Sequence, residues 1–533
     1  MVNNYYNNNW LNITKELVDK GIANKDELEA FEKMYDSPDD ENANLAKEII
    51  RLRIEKAYLK RLNPGQTKAF VSLISFMKDP QDYDGAVLKG YAGTGKTYLI
   101  SSVVDFMKKA YPNRKVAVTA PTNKAVKVLS NGIQFKEQGV FKTEHNTNTS
   151  IDYGTIHSIL GLKESVSNTG ERKFVIDDKK NKISEYRYLV VDESSMLNDE
   201  LYDLIMTHKP SKLQVIFMGD PAQIPPVNQE HCLPFRDDNQ DKLLKLELTE
   251  IMRQKGENPI IDLSFQIREN LEQKNPTGTI HSDVNIFDQG VLVLDSKLDR
   301  KSLRPLINEL YNHPNYTKDP NYIKTIAWRN KSIDYLNSII REEVHGKNLD
   351  RFVKGEKLIA NQALFSEGEY GGMELKANTS TEFEIYDVKI QPHKFKIYEF
   401  GKKTGMFPTY VFDCEIYKIS AKIEGDGKPI TIRVITEEYM EAYNTFCNTL
   451  KASAKVARNS KLWIDYYTAC KFNHNVSYGY AITAHKSQGS TYENVIFIEE
   501  DVDFNKKTVE RNRIKYTACT RAAEKLIMLR KNQ

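Results

Sequence analysis

The chain has 533 residues, room for roughly three or four domains, and a formal net charge of only +3. With 40% hydrophobic and 28% charged residues it reads as globular rather than disordered, and any nucleic-acid partner needs a local basic track because the global field is weak. No apolar run reaches membrane-span length, and Met1-Val-Asn-Asn-Tyr-Tyr lacks both regions of a secretion signal. Cys232, Cys414, Cys447, Cys470 and Cys519 form no C-x-x-C pair, which argues against zinc and a disulfide framework and leads to the expectation of a cytoplasmic protein.

Residues 1–62 read as a helical N-terminal extension: Asn is dense at the start, and Ala46 to Leu62 has helical apolar spacing with many Lys and Arg. Such a segment suits a partner-binding or DNA-facing element, and equally a solvated helical cap. From Asn63 to about residue 285, strands and helices alternate as in a parallel α/β sheet. Asn63-Pro-Gly-Gln66 opens this region, and a Gln there can offer adenine both a donor and an acceptor.

Gly90-Tyr-Ala-Gly-Thr-Gly-Lys-Thr97 fits the phosphate-loop pattern without a mismatch. Gly90, Gly93 and Gly95 permit the tight turn that aims backbone N–H groups, including that of Thr94, at phosphate oxygens. Lys96 supplies a point charge to the terminal phosphates and Thr97 a hydroxyl for Mg²⁺, so ATP and Mg²⁺ are the expected cofactors. The flanks agree: Ala86 to Lys89 reads as a buried strand and Tyr98 to Ala110 as a helix whose N-terminus faces the anion.

Further along, Tyr188-Leu-Val-Val191 is an apolar strand ending in Asp192 and Glu193. After a phosphate loop these suit a cation ligand, Asp192, and the base that activates water, Glu193. Gly219-Asp-Pro-Ala-Gln223 follows the next strand, and Gln223 is suited to sensing the γ-phosphate. Phosphoryl transfer also draws on arginines outside the loop, for which Arg253 and Arg521 are the candidates.

Several segments suit a single strand of nucleic acid read without regard to sequence. Pro121, Thr122 and Lys124 end a strand; Thr155 and His157 lie in Thr-Ile-His; His485, Lys486, Ser487 and Gly489 lie in Thr483-Ala-His-Lys-Ser-Gln-Gly489. Trp463 and Tyr467 stand one helical turn apart, a spacing as compatible with core packing as with stacking on a base. Leu162 to Tyr186 is polar with a turn at Asn168-Thr-Gly170, the pattern of a protruding β-hairpin. A second α/β unit starts near Val291 and resumes at Val476, and residues 351–435 between them have the β-branched and aromatic content of a small barrel.

Taken in order, the motifs from Gln66 to Arg521 resemble the series of a superfamily 1B helicase. Thr155-Ile-His-Ser, Asp192-Glu-Ser-Ser-Met, Ala484-His-Lys-Ser-Gln-Gly and Tyr516-Thr-Ala-Cys-Thr-Arg are similar to the RecD/Dda branch, as is Ala327-Trp-Arg-Asn330-Lys-Ser, which adds Asn330 to the DNA-contact set. The resemblance covers residues 63–533. It implies two RecA-like parallel-sheet domains, one at 63–285 with a hairpin insert at about 155–186, the other at 286–350 and 476–533, plus an accessory domain at 351–475 with an SH3-like β-barrel. It further implies an ATP-dependent DNA helicase moving 5′→3′ on single-stranded DNA, with ATP also placed through Gly489. The hairpin becomes a strand-splitting pin with Phe174 as its wedge, and forked duplex becomes a substrate. Tyr467 departs from the branch's phage member, which has a second Trp there, and this predicts weaker stacking. A monomer is expected, with residues 1–62 as the docking element for a single-strand-binding or replisome protein. A translocase that strips proteins without unwinding, and a nucleotide-timed binding module, are the two competing readings.

Overall fold

The computed structural model describes residues 40–531 apart from 81, 112, 122–124, 127–128, 131–150, 227–228, 251–257, 296–302, 368–372, 398–409, 425–426 and 459, together with isolated positions before 40. The chain forms two compact units: Met1–Gly161 with Asp178–Lys255, and Leu162–Asp177 with Gly256–Gln533. Among the described residues no helix is long and apolar enough to cross a membrane.

In the first unit the strands are β1 (Gly85–Gly90), β2 (Val116–Ala120), β3 (Ile151–Thr155), β6 (Tyr188–Val191), β7 (Gln214–Gly219) and β8 (Leu243–Leu248). Between β3 and β6 the chain makes a hairpin, β4 (Leu162–Val166) and β5 (Arg172–Ile176), that groups with the second unit. The sheet order is β3-β2-β6-β7-β1-β8, and every pairing is parallel. The inner strands are apolar and fully buried because helices cover both faces of a parallel sheet. Since all six strands run one way, their C-terminal ends share one edge, where ligands of open α/β sheets bind.

The extension is more integral than a solvated cap. Its described helix, Asp40–Leu59, places Ile50, Ile54 and Tyr58 at helical spacing in the core beside Phe70 and Phe106. Lys109 Nζ donates to Tyr58 Oη at 3.3 Å and Arg51 Nε donates to Ala110 O at 3.0 Å, which pins this helix to Lys96–Ala110.

The second unit contains a sheet ordered β19-β11-β20-β21-β10-β9, built from β9 (Asp283–Val284), β10 (Gly290–Asp295), β11 (Ile323–Ala327), β19 (Ala481–Thr483), β20 (Tyr492–Ile498) and β21 (Ala522–Arg530). All neighbours are parallel except β9. Residues 256–285, read from the sequence as the end of the first RecA-like domain, pack with this unit. The physical reason is packing: helix Pro259–Glu269 lies against Thr508–Cys519, and Asn512 Nδ2 donates to Leu271 O and Gln273 O, both at 2.7 Å.

The insert in this unit holds β12 (Lys357–Ala360), β13 (Leu364–Glu367), β14 (Met373–Ala377), β15 (Glu382–Ile397), β16 (Tyr410–Ile423), β17 (Pro429–Ile435) and β18 (Val476–Tyr478). Five of them form an antiparallel sheet, β17-β16-β15-β12-β18, and β13-β14 is a separate ribbon. Leu364 and Ala377 of the ribbon share one core with Phe383, Ile419 and Ile432 of the sheet. Among the described residues these strands do not join into a single closed barrel sheet. The other sheet face carries Phe395 and Ile416 against Tyr443, Phe446, Leu450 and Phe472 of helices Glu437–Ala457 and Ser460–Phe472. A buried ion pair, Lys324 to Glu382 at 2.8 Å, ties the insert to β11.

Candidate active site and nucleic-acid interface

At the edge of the first sheet, β1 ends in the loop that leads into helix Lys96–Ala110. Gly93 and Gly95 take φ of 81° and 77°, the left-handed region that favours glycine. Gly95 caps the helix without any side-chain bond, which leaves the first N–H groups for an anion. Lys96 Nζ donates to Gly90 O and, at 3.0 Å, to Tyr91 O, so the ammonium lies along the loop it serves. Thr94 is buried and Thr97 half-buried in the first turn. Gln66 is fully buried: it closes a capping box with Asn63, and its Nε2 donates to Thr94 O at 3.4 Å. Its amide thus braces the phosphate loop, rather than presenting a free edge to a base.

Asp192 sits at the end of β6, its N–H bonded to Thr119 O at 2.8 Å and its Oδ1 accepting the Glu193 N–H at 2.8 Å. Burial, and then the charge of Glu193, push the Asp192 carboxyl up to about 7, against the pull of Lys96. Glu193 holds φ of 49°, uncommon for a residue with a side chain, at the turn that places it next to Asp192. After β7, Asp220 binds the Ala222 N–H at 3.0 Å and orders the turn carrying Gln223. Gln223 is 5% exposed and its Oε1 is buried without a hydrogen-bond partner, so this amide oxygen awaits a donor. A buried carboxyl held well above its ordinary range, beside a phosphate loop and the Thr97 hydroxyl, fits a divalent cation, which would restore its charge.

On the same edge Pro121 is half-buried, while Thr122, Lys124 and Arg253 lie outside the described residues. The Thr155 hydroxyl caps the turn Ile156–Ile159 by accepting the Ser158 N–H at 3.3 Å. Burial lowers the His157 pKa and favours its neutral ring.

In the second unit, Thr483 caps the turn Ala484–Ser487 by accepting the Lys486 N–H at 3.3 Å. Burial lowers the pKa of both His485 and Lys486, and Lys486 Nζ donates to Asn361 Oδ1. Ser487 is buried with its Oγ on Ala484 O at 2.8 Å, and Gly489 takes φ of 69°. Arg521 is buried, with its guanidinium on Thr517 O at 3.1 Å, Ser490 O at 3.0 Å and Thr520 Oγ1 at 3.1 Å. Asn330 is exposed at the start of helix Asn330–His345. Asp501 holds that start by accepting the N–H groups of Trp328 and Arg329 at 2.9 and 2.7 Å. Sequence reading missed Asp501 and Asn361; an acid just after the apolar β20 was the available signal for Asp501, and nothing local marks Asn361.

One expectation needs correction. Trp463 is not presented to a base: it is buried against the hairpin turn, its Nε1 donating to Asn168 O at 3.2 Å. Tyr467 stacks on it with centroids 6.0 Å apart and donates its hydroxyl to Gly170 O at 2.8 Å. Gly170 has φ of 87°, and a Cβ there would lie 2.6 Å from the Trp463 ring, so only glycine admits this approach. Lys471 pairs with Glu164 as a second anchor. The aromatic pair is therefore the seat of the hairpin, whereas Phe174 on β5 stays 48% exposed.

A parallel sheet whose C-terminal edge gathers the phosphate loop, the Asp192–Glu193 pair and Gln223 defines a P-loop nucleoside-triphosphate hydrolase. Residues 61–283 match the family model described as AAA domain, and residues 478–529 match the UvrD-like helicase C-terminal domain. The ATP-dependent DNA helicase Dda of Enterobacteria phage T4 is 25% identical over 448 residues, 81% of this chain and 91% of that protein. An uncharacterized protein of Acanthamoeba polyphaga mimivirus is 25% identical over 485 residues, covering 82% and 94% of the two chains. The RecBCD enzyme subunit RecD of Buchnera aphidicola subsp. Schizaphis graminum is 24% identical over 456 residues, 82% of this chain and 69% of that protein. Together these matches support a superfamily 1B helicase of the RecD/Dda branch.

Proposed function

We propose that this chain is an ATP-dependent DNA helicase that translocates 5′→3′ on single-stranded DNA and separates the strands of a forked duplex. The observation that carries the reading is the pairing of the phosphate loop with the buried Asp192 and the half-buried Glu193 at one sheet edge. Lys96, Thr94 and the loop glycines bind the triphosphate, and Gln66 steadies the loop from behind. Thr97 and Asp192 would hold Mg²⁺, which when bound supplies charge neutralisation at the phosphates. Glu193 takes the proton of the attacking water, and Gln223 reports the γ-phosphate by donating its side-chain N–H to it. Arg253 and Arg521 are proposed to neutralise charge as it develops; for Arg521 that requires leaving some of its carbonyl partners.

Pro121, Thr122, Lys124, Thr155 and His157 in the first unit, with Asn330, His485, Lys486 and Ser487 in the second, are proposed to track the DNA backbone. The 48% exposure of Phe174 supports the pin reading, because the hairpin is anchored at its turn while this ring stays at the surface of β5. The relatives named as DNA helicases support the substrate class. The protein is proposed to act as a monomer, with residues 1–62 proposed as the docking element for a single-strand-binding or replisome protein.

Oligonucleotide duplexes with a 5′ tail, a 3′ tail or none, incubated with ATP, test activity and direction together. Unwinding of the 5′-tailed substrate alone is expected, and Glu193→Gln should lose hydrolysis by roughly 10²–10⁴-fold while still binding ATP. Hydrolysis by Glu193→Gln at the wild-type rate in the presence of single-stranded DNA would overturn the assignment. ATP hydrolysis without strand separation would leave a translocase.

A further inference from the structure

We propose that Cys447 and Cys470 form a reversible dithiol–disulfide site that cross-links the two helices of the insert. Cys447 lies on Glu437–Ala457 and Cys470 on Ser460–Phe472, two helices packed directly on each other. Both side chains belong to one cluster with Tyr443 and Tyr466, and the two thiols are neighbours within it. Both also line a cavity of about 680 Å³ with Met440, Tyr443, Tyr466 and Asn473, which gives a small oxidant a route to them. Cys470 is partly exposed and Cys447 buried, so one thiol is accessible and the other waits behind it.

Electrostatics assigns the two roles. The neighbouring Cys447 thiol, with Tyr466, Lys451 and Arg172, pulls Cys470 down to about 7, against the opposing effect of burial. Cys470 is therefore substantially thiolate at neutral pH and acts as the attacking group. The proximity of Cys470, with burial, raises Cys447 and keeps it protonated. By contrast, burial holds Cys414 up at about 11 and raises Cys519.

With a peroxide as oxidant, the Cys470 thiolate attacks one oxygen, forming an S–O bond as the O–O bond breaks and hydroxide leaves. The Cys447 sulfur then attacks the sulfenic sulfur. An S–S bond forms, the S–O bond breaks, and the hydroxyl departs as water with the Cys447 proton. Two thiols lose two electrons and the peroxide is reduced to water. The product ties helix Ser460–Phe472, which carries the hairpin anchors Trp463, Tyr467 and Lys471, to its neighbour.

The full chain is treated with hydrogen peroxide, alkylated while unfolding, digested and analysed by mass spectrometry. A peptide pair joining Cys447 to Cys470, lighter by two hydrogens and abolished by dithiothreitol, is expected. Cys447→Ser should instead accumulate a Cys470 sulfenic acid that dimedone traps. Native Cys470 should react with iodoacetamide at pH 7 at least ~10-fold faster than Cys414. Should the variant not fold, the wild-type map and rates still decide. Recovery of Cys447 and Cys470 as free thiols after peroxide treatment, or a Cys470 rate no higher than that of Cys414, overturns the proposal.

Discussion

Asn at position 192 should make the protein more stable at alkaline pH while removing its activity. Asp192 has an ordinary carboxyl value of 3.8, and burial plus Glu193 lift it to about 7 in the folded chain. At about 1.4 kcal/mol per pH unit, ionising it in place costs roughly 4 kcal/mol. Relaxation and water entry make that a ceiling, and about half is a reasonable expectation. The sign follows from proton binding. Between pH 3.8 and about 7 the folded state holds a proton that the unfolded state has released, so stability falls as pH rises. The loss is complete above about 7. Asp192→Asn keeps the acceptor for the Glu193 N–H but carries no charge, so it escapes the loss. Thermal unfolding without nucleotide should show the variant about 4–8 °C above wild type at pH 8, since ~1 kcal/mol moves the midpoint of a unit this size by roughly 2–4 °C. At pH 5 the gap should shrink to a fraction of that. Added Mg²⁺ with a non-hydrolysable ATP analogue should raise the wild type and leave the variant behind. An equal gap at pH 5 and pH 8, or a variant less stable than wild type at pH 8, would refute the reasoning.

Three more outcomes follow from the geometry. Lys96→Ala removes the charge lying along the loop and should abolish measurable ATP turnover with far-UV circular dichroism unchanged. Trp463→Ala removes a buried ring at the hairpin turn and should cost about 3–5 kcal/mol locally, read as faster amide hydrogen exchange across 162–177; unchanged exchange there would mean the hairpin is held elsewhere. His474 is neutral because burial lowers it to about 4, its Nδ1 accepting the Arg433 N–H at 3.1 Å and its Nε2 bonded to Phe365 O at 2.7 Å. A base lowered on folding stabilises above its unfolded value and loses that contribution as pH falls from about 6.5 to about 4, here up to ~3 kcal/mol; His474→Gln should flatten the acid limb of the stability profile, and an unaltered limb would assign it to other groups.

The first sheet and its chemistry were legible because they are encoded locally. A phosphate loop must be glycine-rich and followed by Lys-Thr, and Asp192-Glu193 must close an apolar strand, so Gly90–Thr97 and Tyr188–Glu193 carry their meaning in consecutive residues. Alternation of apolar runs with helical periodicity likewise fixed the parallel sheets. Other features depend on partners far away in sequence. A Trp-Tyr pair one helical turn apart has the same spacing whether it meets a base or a protein backbone; only the approach of Gly170, almost 300 residues earlier, made it the hairpin seat. Residues 256–285 pack with the second unit because Pro259–Glu269 lies against Thr508–Cys519, a contact invisible to local composition. Helix Asp40–Leu59 likewise became core and not cap only when Phe70 and Phe106 covered its stripe.

The sequence by itself determined the nucleotide chemistry and the order of the motifs, since both reside in short covalent runs whose backbone demands are strict. Tertiary structure alone decided the elevated pKa of Asp192, the seating of the hairpin on Trp463, and the thiol pair of Cys447 and Cys470. Each of these depends on burial or on a distance between residues that the chain brings together only when folded.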